Sequence, residues 1–176
     1  MLRITVSALT MMIVFVLTAL NGRTAEQHDH PVPVLPKEFE QLKRMVGQWE
    51  GTTQNENKPQ PVQAVYELTS GGTAILERLF AGTLHEMVSV YYADGDQLAM
   101  THYCMLGNRP KLSLRKSGKN QLVFEMNGTD GISSKDEMHM HQVTMTFDKD
   151  GQLKQEWVGY DQGKATHTTV VNLKKK

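Results

Sequence analysis

From Gly47 to the C-terminus, hydrophobic and polar residues alternate with period two in short runs, separated by turns rich in Gly, Asp and Asn. This alternation is typical of strands with one buried face, and many short strands of this kind indicate a β-barrel or β-sandwich. The pattern predicts an all-β domain of about ten strands, at 47–54, 62–69, 73–80, 85–93, 96–104, 110–117, 121–127, 137–148, 152–160 and 164–173.

The turns between these runs predict how the strands connect. The stretches "YYADGDQL" and "TFDKDGQL" contain Asp-Gly pairs typical of tight hairpins, and "YDQGKA" has the same character. Consecutive hairpins favour an antiparallel up-and-down meander, which loses its exposed edges when it closes into a barrel. An open two-sheet sandwich is the alternative that the periodicity leaves open.

Two different segments precede the first predicted strand. In "KEFEQLKRMV", Phe39, Leu42 and Val46 have helical spacing and predict one short N-terminal helix. Before it, "EQHDHPVPVLP" has three prolines and predicts an extended tether over 26–36. The barrel domain is therefore expected to cover 37–176.

The N-terminus has the pattern of an export signal. Arg3 precedes an uncharged, largely apolar stretch at 4–20, and Ala25 is a suitable last residue before cleavage. We expect residues 1–25 to be a signal peptide and the protein to be periplasmic or secreted. The alternative is an uncleaved membrane anchor formed by 4–20, which would be the chain's sole contact with a membrane.

Composition narrows the classes of partner. Nineteen basic and nineteen acidic residues cancel, so no basic surplus favours nucleic acid as a partner. Cys104 is the single cysteine, so no intramolecular disulfide can form and the fold depends on its core.

Several motifs resemble a known group of barrels. The helix followed by a Gly-x-Trp strand in "FEQLKRMVGQWEG" is similar to the opening of calycin-type barrels, a superfamily that includes lipocalins, fatty-acid-binding proteins and haem-binding nitrobindins. The segments "LHEMVSVYYADGDQLAMTHYCMLGNRPKL" and "DEMHMHQVTMTF" together resemble a bacterial calycin-like family of unknown function over roughly 38–174. The resemblance implies a calycin-like barrel and supplies no activity.

Two histidines lie one residue apart in the strand predicted at 137–148. Regular alternation places His139 and His141 on the same face as Val143, Met145 and Phe147. Because a half-buried strand turns its apolar face to the core, the pattern predicts that both histidines point inward.

The same test places other polar groups in the interior. His102 and Cys104 alternate in phase with apolar residues in "QLAMTHYC", His167 does so in "THTTVVNL", and Trp157 does so in "QEWVGY". A barrel that holds a ligand needs a few such groups among apolar walls. We therefore expect a small hydrophobic or amphipathic ligand, bound by His102, His139, His141, His167, Cys104, Tyr66 and Trp157.

The histidines also fit other functions. Imidazoles suit haem iron and transition metals, so His139, His141 and His102 are candidate ligands of haem or a transition metal if they converge. They are equally compatible with hydrogen-bonded core residues in a barrel that its own side chains fill.

An enzyme of unidentified substrate is the third hypothesis. It would use Cys104 as a nucleophile beside a histidine, although no oxyanion-hole loop is visible. The strand carboxylates Glu50, Glu77 and Glu125 have no catalytic spacing and are expected mostly at the surface. Arg109, in the loop "LGNRP", lies either at the barrel rim facing an anionic ligand group or in a solvated turn.

Overall fold

The computed structural model describes residues 33–55 and 58–176, which form one short helix and ten strands. The predicted export segment and most of the predicted tether lie outside the described residues. The elements are α1 (Phe39–Lys43), β1 (Gly47–Asn55), β2 (Lys58–Thr69), a 3₁₀ turn (Ser70–Gly72), β3 (Ala74–Leu79), β4 (Met87–Asp94), β5 (Gln97–Tyr103), β6 (Lys111–Gly118), β7 (Gln121–Met126), β8 (His139–Phe147), β9 (Gln152–Asp161) and β10 (Lys164–Lys175).

The strands form a closed antiparallel barrel. Each strand pairs with the next along the chain, and β1 pairs with β10 to close the sheet, with Trp49 opposite Lys175. The predicted all-β up-and-down barrel with a short N-terminal helix is therefore confirmed. Gly95, Gly151 and Gly163 have positive φ angles in the three predicted hairpins, a conformation that a side chain would disfavour.

The two ends of the barrel differ. At the end where β1 begins, which we call the helix end, α1 and the turn after it bury Phe39, Leu42 and Met45 in the core. The indole Nε1 of Trp49 donates a hydrogen bond of 2.6 Å to the Met45 carbonyl and ties this segment to β1. The loops after β1, β3, β5, β7 and β9 lie at the opposite end, which we call the open end.

Strand β2 begins four residues before the predicted position of 62, despite Pro59 and Pro61. Over Lys58–Gln63 this strand pairs with β1 alone, because its pairing with β3 begins at Ala64. Proline lacks a backbone donor and is tolerated where a strand has a free edge. The two prolines therefore fit in a strand of a closed barrel.

In the described part of the chain, no helix is long and apolar enough to cross a membrane. The predicted membrane anchor at 4–20 falls in the part that the structure does not describe.

Candidate ligand-binding site

A cavity of about 270 Å³ lies at the open end of the barrel. Most of its wall is apolar: Leu79, Phe80, Met87, Met105, Leu106, Met138, Met140, Trp157 and Val171. Four polar residues complete the wall: His102, Cys104, His167 and Thr169. The barrel interior is therefore partly empty, and its empty part has the composition of a site for a small, largely apolar molecule.

His102 is the most deeply buried polar residue of the cavity wall. It lies near the end of β5 with 1% of its surface exposed. Its Nδ1 lies 3.0 Å from the Ser89 hydroxyl, and its ring packs against Trp157 with 4.7 Å between ring centroids. Its Nε2 is buried without a hydrogen-bond partner in the described part of the chain. Burial lowers the pKa of His102 to about 4, so the imidazole is neutral at pH 7.

The unpartnered Nε2 has an energetic cost. A buried polar atom that has lost its contact with water and gained no partner costs about 1–3 kcal/mol. A ligand that bonds to Nε2 would recover part of this cost. Because methionine side chains are unbranched and flexible, Met87 and Met140 in the same wall allow it to reshape around an occupant.

Beneath the cavity, Trp157 connects to a network of buried polar side chains. Its Nε1 donates to Gln155 Oε1 at 3.2 Å, and Gln155 Nε2 donates to Glu77 Oε1 at 2.8 Å. The hydroxyls of Tyr66 and Tyr91 donate to the two carboxyl oxygens of Glu77, at 2.8 and 2.6 Å. The cavity floor is thus supported by the carboxyl group of Glu77, which accepts hydrogen bonds from side chains on three other strands.

The structure differs from the expectations for Tyr66 and Glu77. Tyr66 lies in the interior, but it belongs to the network around Glu77 and does not line the cavity. Among the strand carboxylates expected mostly at the surface, Glu77 is an exception, because its exposed fraction is 0%. The pattern of β3 contained the evidence, since Ile75 and Leu79 share a face with Glu77 while Arg78 lies on the other.

The two tyrosines of the network remain hydrogen-bond donors. Burial, followed by the charge of Glu77, raises the pKa of Tyr66 and of Tyr91 well above its ordinary value. Both hydroxyls therefore stay protonated over the whole physiological range, and the network does not lose its donors as pH rises.

The inward orientation predicted for His139 and His141 is wrong. On β9, Trp157 and Gly159 face the interior, so Tyr160 faces outward, and His139 pairs with Tyr160. The register shifts between Met140 and Gln142, where a β-bulge inserts His141 as an extra residue. A bulge reverses the alternation on its far side. Consequently Met138 and Met140 line the cavity in place of the histidines.

On the outer face, the two histidines form a local hydrogen-bonded pair. His139 Nε2 lies 3.0 Å from His141 Nδ1, and His139 Nδ1 lies 2.6 Å from the Glu137 carbonyl. The His141 ring stacks on Tyr160 with 3.9 Å between centroids. Burial, and then the neighbouring His139, lower the pKa of His141.

The metal site predicted from His139, His141 and His102 is not assembled. His102 lines the cavity, whereas the other two lie on the outer face of the sheet. Across the described ranges, no three His, Cys, Asp or Glu side chains come together in a group suited to a metal ion.

His167 and Cys104 also line the cavity. A Cβ atom added at Gly159 would lie 2.2 Å from Cε1 of His167, so this glycine leaves the space that the imidazole ring occupies. Cys104 is half-buried, and burial raises the pKa of its thiol. A raised pKa keeps the sulfur protonated, which disfavours the nucleophilic role considered for Cys104.

Arg109, considered as a contact for an anionic ligand group, is not among the residues that line the cavity. Its guanidinium is 60% exposed and lies 3.9 Å from the Asp130 carboxylate. The loop around it is held by Asn108, whose Nδ2 donates to Glu137 and to the Met138 carbonyl at 2.7 and 2.9 Å. The loop thus shapes the mouth of the cavity and places no charge inside it.

The fold and the cavity define a class: a ten-stranded antiparallel β-barrel with an apolar cavity at one end. No family model matches the chain, and none of the curated proteins matches it. Among solved structures, the crystal structure of Rv2717c from M. tuberculosis is similar, with a TM-score of 0.49 and 13% identity over 81% of this chain and 99% of that chain. These comparisons do not confirm the calycin-like family predicted from the motifs.

Proposed function

We propose that this chain is an exported binding protein that holds a small hydrophobic or amphipathic molecule in the cavity at the open end of its barrel. The observation that carries the proposal is the apolar cavity, whose wall includes the buried His102. Apolar walls supply affinity through burial, and a single polar group orients the ligand. Trp157, His167 and Cys104 would be the other contacts.

Export is supported by the sequence of the first 25 residues, with Arg3 followed by an apolar stretch at 4–20. The measurement is N-terminal sequencing of the protein recovered from an exporting host. A start at Glu26 would establish cleavage, whereas an intact N-terminus in the membrane fraction would establish the anchor.

The binding proposal is tested by native mass spectrometry of the mature domain purified from an exporting host. We expect a bound mass in the natural protein and its loss in Thr169→Phe, which fills the cavity from a half-buried wall position. The matched control is the double variant His139→Ala/His141→Ala on the outer face, which should retain the bound mass. A folded natural protein that is empty and accepts no added apolar molecule would contradict the proposal.

Haem is the alternative occupant, and one observation favours it over a bare metal ion. His102 has one imidazole nitrogen, Nε2, without a hydrogen-bond partner in the described part of the chain, and its Nδ1 lies 3.0 Å from the Ser89 hydroxyl. A metal-ligating histidine usually has such an outer hydrogen bond at its second nitrogen. Haem can be held by one axial ligand, whereas a structural metal ion takes several. Titration with hemin would then produce a Soret band that His102→Ala abolishes and His141→Ala preserves.

A further inference from the structure

Sulfur is concentrated in the wall of the cavity. The residues that carry it there are Met87, Cys104, Met105, Met138 and Met140. Thioether and thiol sulfur are soft ligands, which favour Cu(I) over harder metal ions. Apolar packing alone would not require sulfur, because leucine fills a similar volume.

The imidazole of His167 lies beside one of these methionines. His167 on β10 and Met140 on β8 are both paired with Gly159 on β9, which lies between them. Because Gly159 has no side chain, the His167 ring lies over it: an added Cβ atom would be 2.2 Å from Cε1 and 2.7 Å from Nε2. Directly opposite residues in an antiparallel pair have Cβ atoms about 4.5–5.5 Å apart. The flexible side chain of Met140 can therefore bring its sulfur to a metal ion beside His167 Nε2.

Two hydrogen bonds determine which nitrogen of His167 has the lone pair. The Gly159 carbonyl can only accept, so the Thr166 hydroxyl, 3.2 Å away, donates to it. The Thr166 oxygen then accepts from His167 Nδ1 at 3.1 Å. A neutral imidazole has one N–H, so Nε2 is unprotonated and available to a metal ion. The bond at Nδ1 is the outer contact that usually orients a metal-ligating histidine.

The other side chains of the wall decide which metal ion fits. Across residues 33–55 and 58–176, no three His, Cys, Asp or Glu side chains form a group suited to a metal ion, and no carboxylate lines the cavity. Zn²⁺ is usually bound by such groups, whereas Cu(I) and its redox-stable analogue Ag(I) accept thioethers. Because the cost of desolvation rises with the square of the charge, a monovalent ion also enters an apolar wall more readily than a divalent one.

We propose that the cavity binds a soft monovalent metal ion, Cu(I), through His167 Nε2, the sulfur of Met140 and further sulfur atoms of the wall. The site goes beyond the proposed function, because it depends on the sulfur atoms and not on the apolar surface. An apolar ligand and the metal ion would compete for the same cavity.

Anaerobic competition with bicinchoninate, a chromogenic Cu(I) chelator, tests the site in protein purified from an exporting host and stripped of bound molecules. We expect the natural protein to withdraw Cu(I) from the chelator, and Met140→Leu and His167→Phe each to bind it at least about tenfold more weakly. Met145→Leu is the matched control, since Met145 is buried on the same strand and is not among the residues that line the cavity.

Two results of this competition would overturn the metal site. One is that the natural protein withdraws no Cu(I), or that Met140→Leu and His167→Phe bind it as tightly as Met145→Leu. The other is that Zn²⁺ binds the natural protein as tightly as Cu(I). The binding proposal is judged separately, because Met140→Leu keeps the wall apolar and should retain the bound mass seen by native mass spectrometry.

A second measurement locates the ion directly. In protein with ¹³C-labelled methionine methyl groups, Ag(I) should shift the signal of Met140 and leave that of Met145 in place. The ¹⁵N shifts of His167 should report hydrogen on Nδ1 before Ag(I) is added, and Ag(I) should then shift Nε2. Hydrogen on Nε2 in the metal-free protein, or a Met140 methyl signal that Ag(I) does not shift, would overturn the proposal.

Discussion

Glu77 is a buried carboxyl group on which three donors from other strands converge. Tyr66, Tyr91 and Gln155 all donate to its oxygens, and its exposed fraction is 0%. A carboxyl group in this position is tolerated because its oxygens accept hydrogen bonds from these donors. Removing it would leave three buried donors without an acceptor.

We therefore predict that Glu77→Ala lowers the free energy of unfolding by on the order of 3 kcal/mol or more, because each unsatisfied donor costs about 1–3 kcal/mol. Glu77→Gln should cost less, since its side-chain oxygen still accepts. Urea unfolding provides the measurement, and Glu50→Gln, at an exposed carboxylate that pairs with Lys176, is the control. A loss below about 1 kcal/mol in Glu77→Ala would mean that water satisfies these donors.

His102 makes a pH-dependent contribution to stability. Its pKa is lowered from 6.5 to about 4 by burial, so the unfolded state binds the proton more readily between these values. The contribution is fully present above pH 6.5 and is lost as pH falls through 4. At 1.36 kcal/mol per pKa unit, it amounts to about 3 kcal/mol.

The measurement is urea unfolding of the natural protein and of His102→Gln at several pH values from 4 to 7. As pH falls, the natural protein should lose stability relative to His102→Gln, because glutamine does not titrate. Taking the difference cancels the titration of the carboxyl groups common to both. A stability difference that does not change with pH would show that His102 has the same pKa in the folded and unfolded states.

At the scale of the element, the β-bulge in β8 decides which side chains reach the cavity. The extra residue is His141, so Met140 stays opposite Gly159 while Gln142 pairs with Val158. Without a bulge, regular alternation from Val143 would point His139 and His141 inward. Because of this one extra residue, Met138 and Met140 lie in the cavity wall, and His139 and His141 do not.

Deleting His141 should preserve the barrel, because Met140 would adjoin Gln142 with its register to β9 unchanged. We expect a loss of about 1–2 kcal/mol, from the stacking on Tyr160 and one hydrogen bond. Deleting Thr144 is the matched control; it would move Val143 to the outer face and Gln142 into the core. Urea unfolding and amide NMR spectra distinguish the two variants, and equal losses would contradict the assigned bulge.

At the scale of the whole molecule, the barrel has a helix end, whose buried side chains stabilise it, and an open end, which holds the cavity. The segment from α1 to the start of β1 buries Phe39, Leu42 and Met45 at the helix end. The cavity lies among loops at the other end, where Met105 is 56% exposed at the mouth. Stability and binding should therefore respond to different substitutions.

Leu42→Ala should lower the free energy of unfolding by about 2–5 kcal/mol, the usual range for a fully buried leucine. It should leave the bound mass seen by native mass spectrometry unchanged, since Leu42 lies at the helix end. Val34→Ala is the control for stability, because Val34 is 95% exposed and its truncation removes little packing. Loss of the bound mass from folded Leu42→Ala would show that the two ends are energetically coupled.

Although it left open whether the strands close into a barrel, the sequence by itself determined the all-β class, the approximate number of strands and the short helix at the start. These follow from period-two alternation and from hairpin turns at Gly95, Gly151 and Gly163, which act over a few residues and do not depend on the rest of the chain. The inward direction of His102 followed in the same way, because the pairing of β5 with β4 is regular around it.

Only the tertiary structure decided the side of the sheet on which His139 and His141 lie, since a bulge is defined by the pairing of β8 with β9 and leaves the local alternation of residue types intact. It also decided which groups satisfy the buried Glu77, because its hydrogen-bond donors come from three other strands. The empty cavity is decided in the same way. Whether side chains fill a barrel depends on how all ten strands close around it, which no single stretch of sequence encodes.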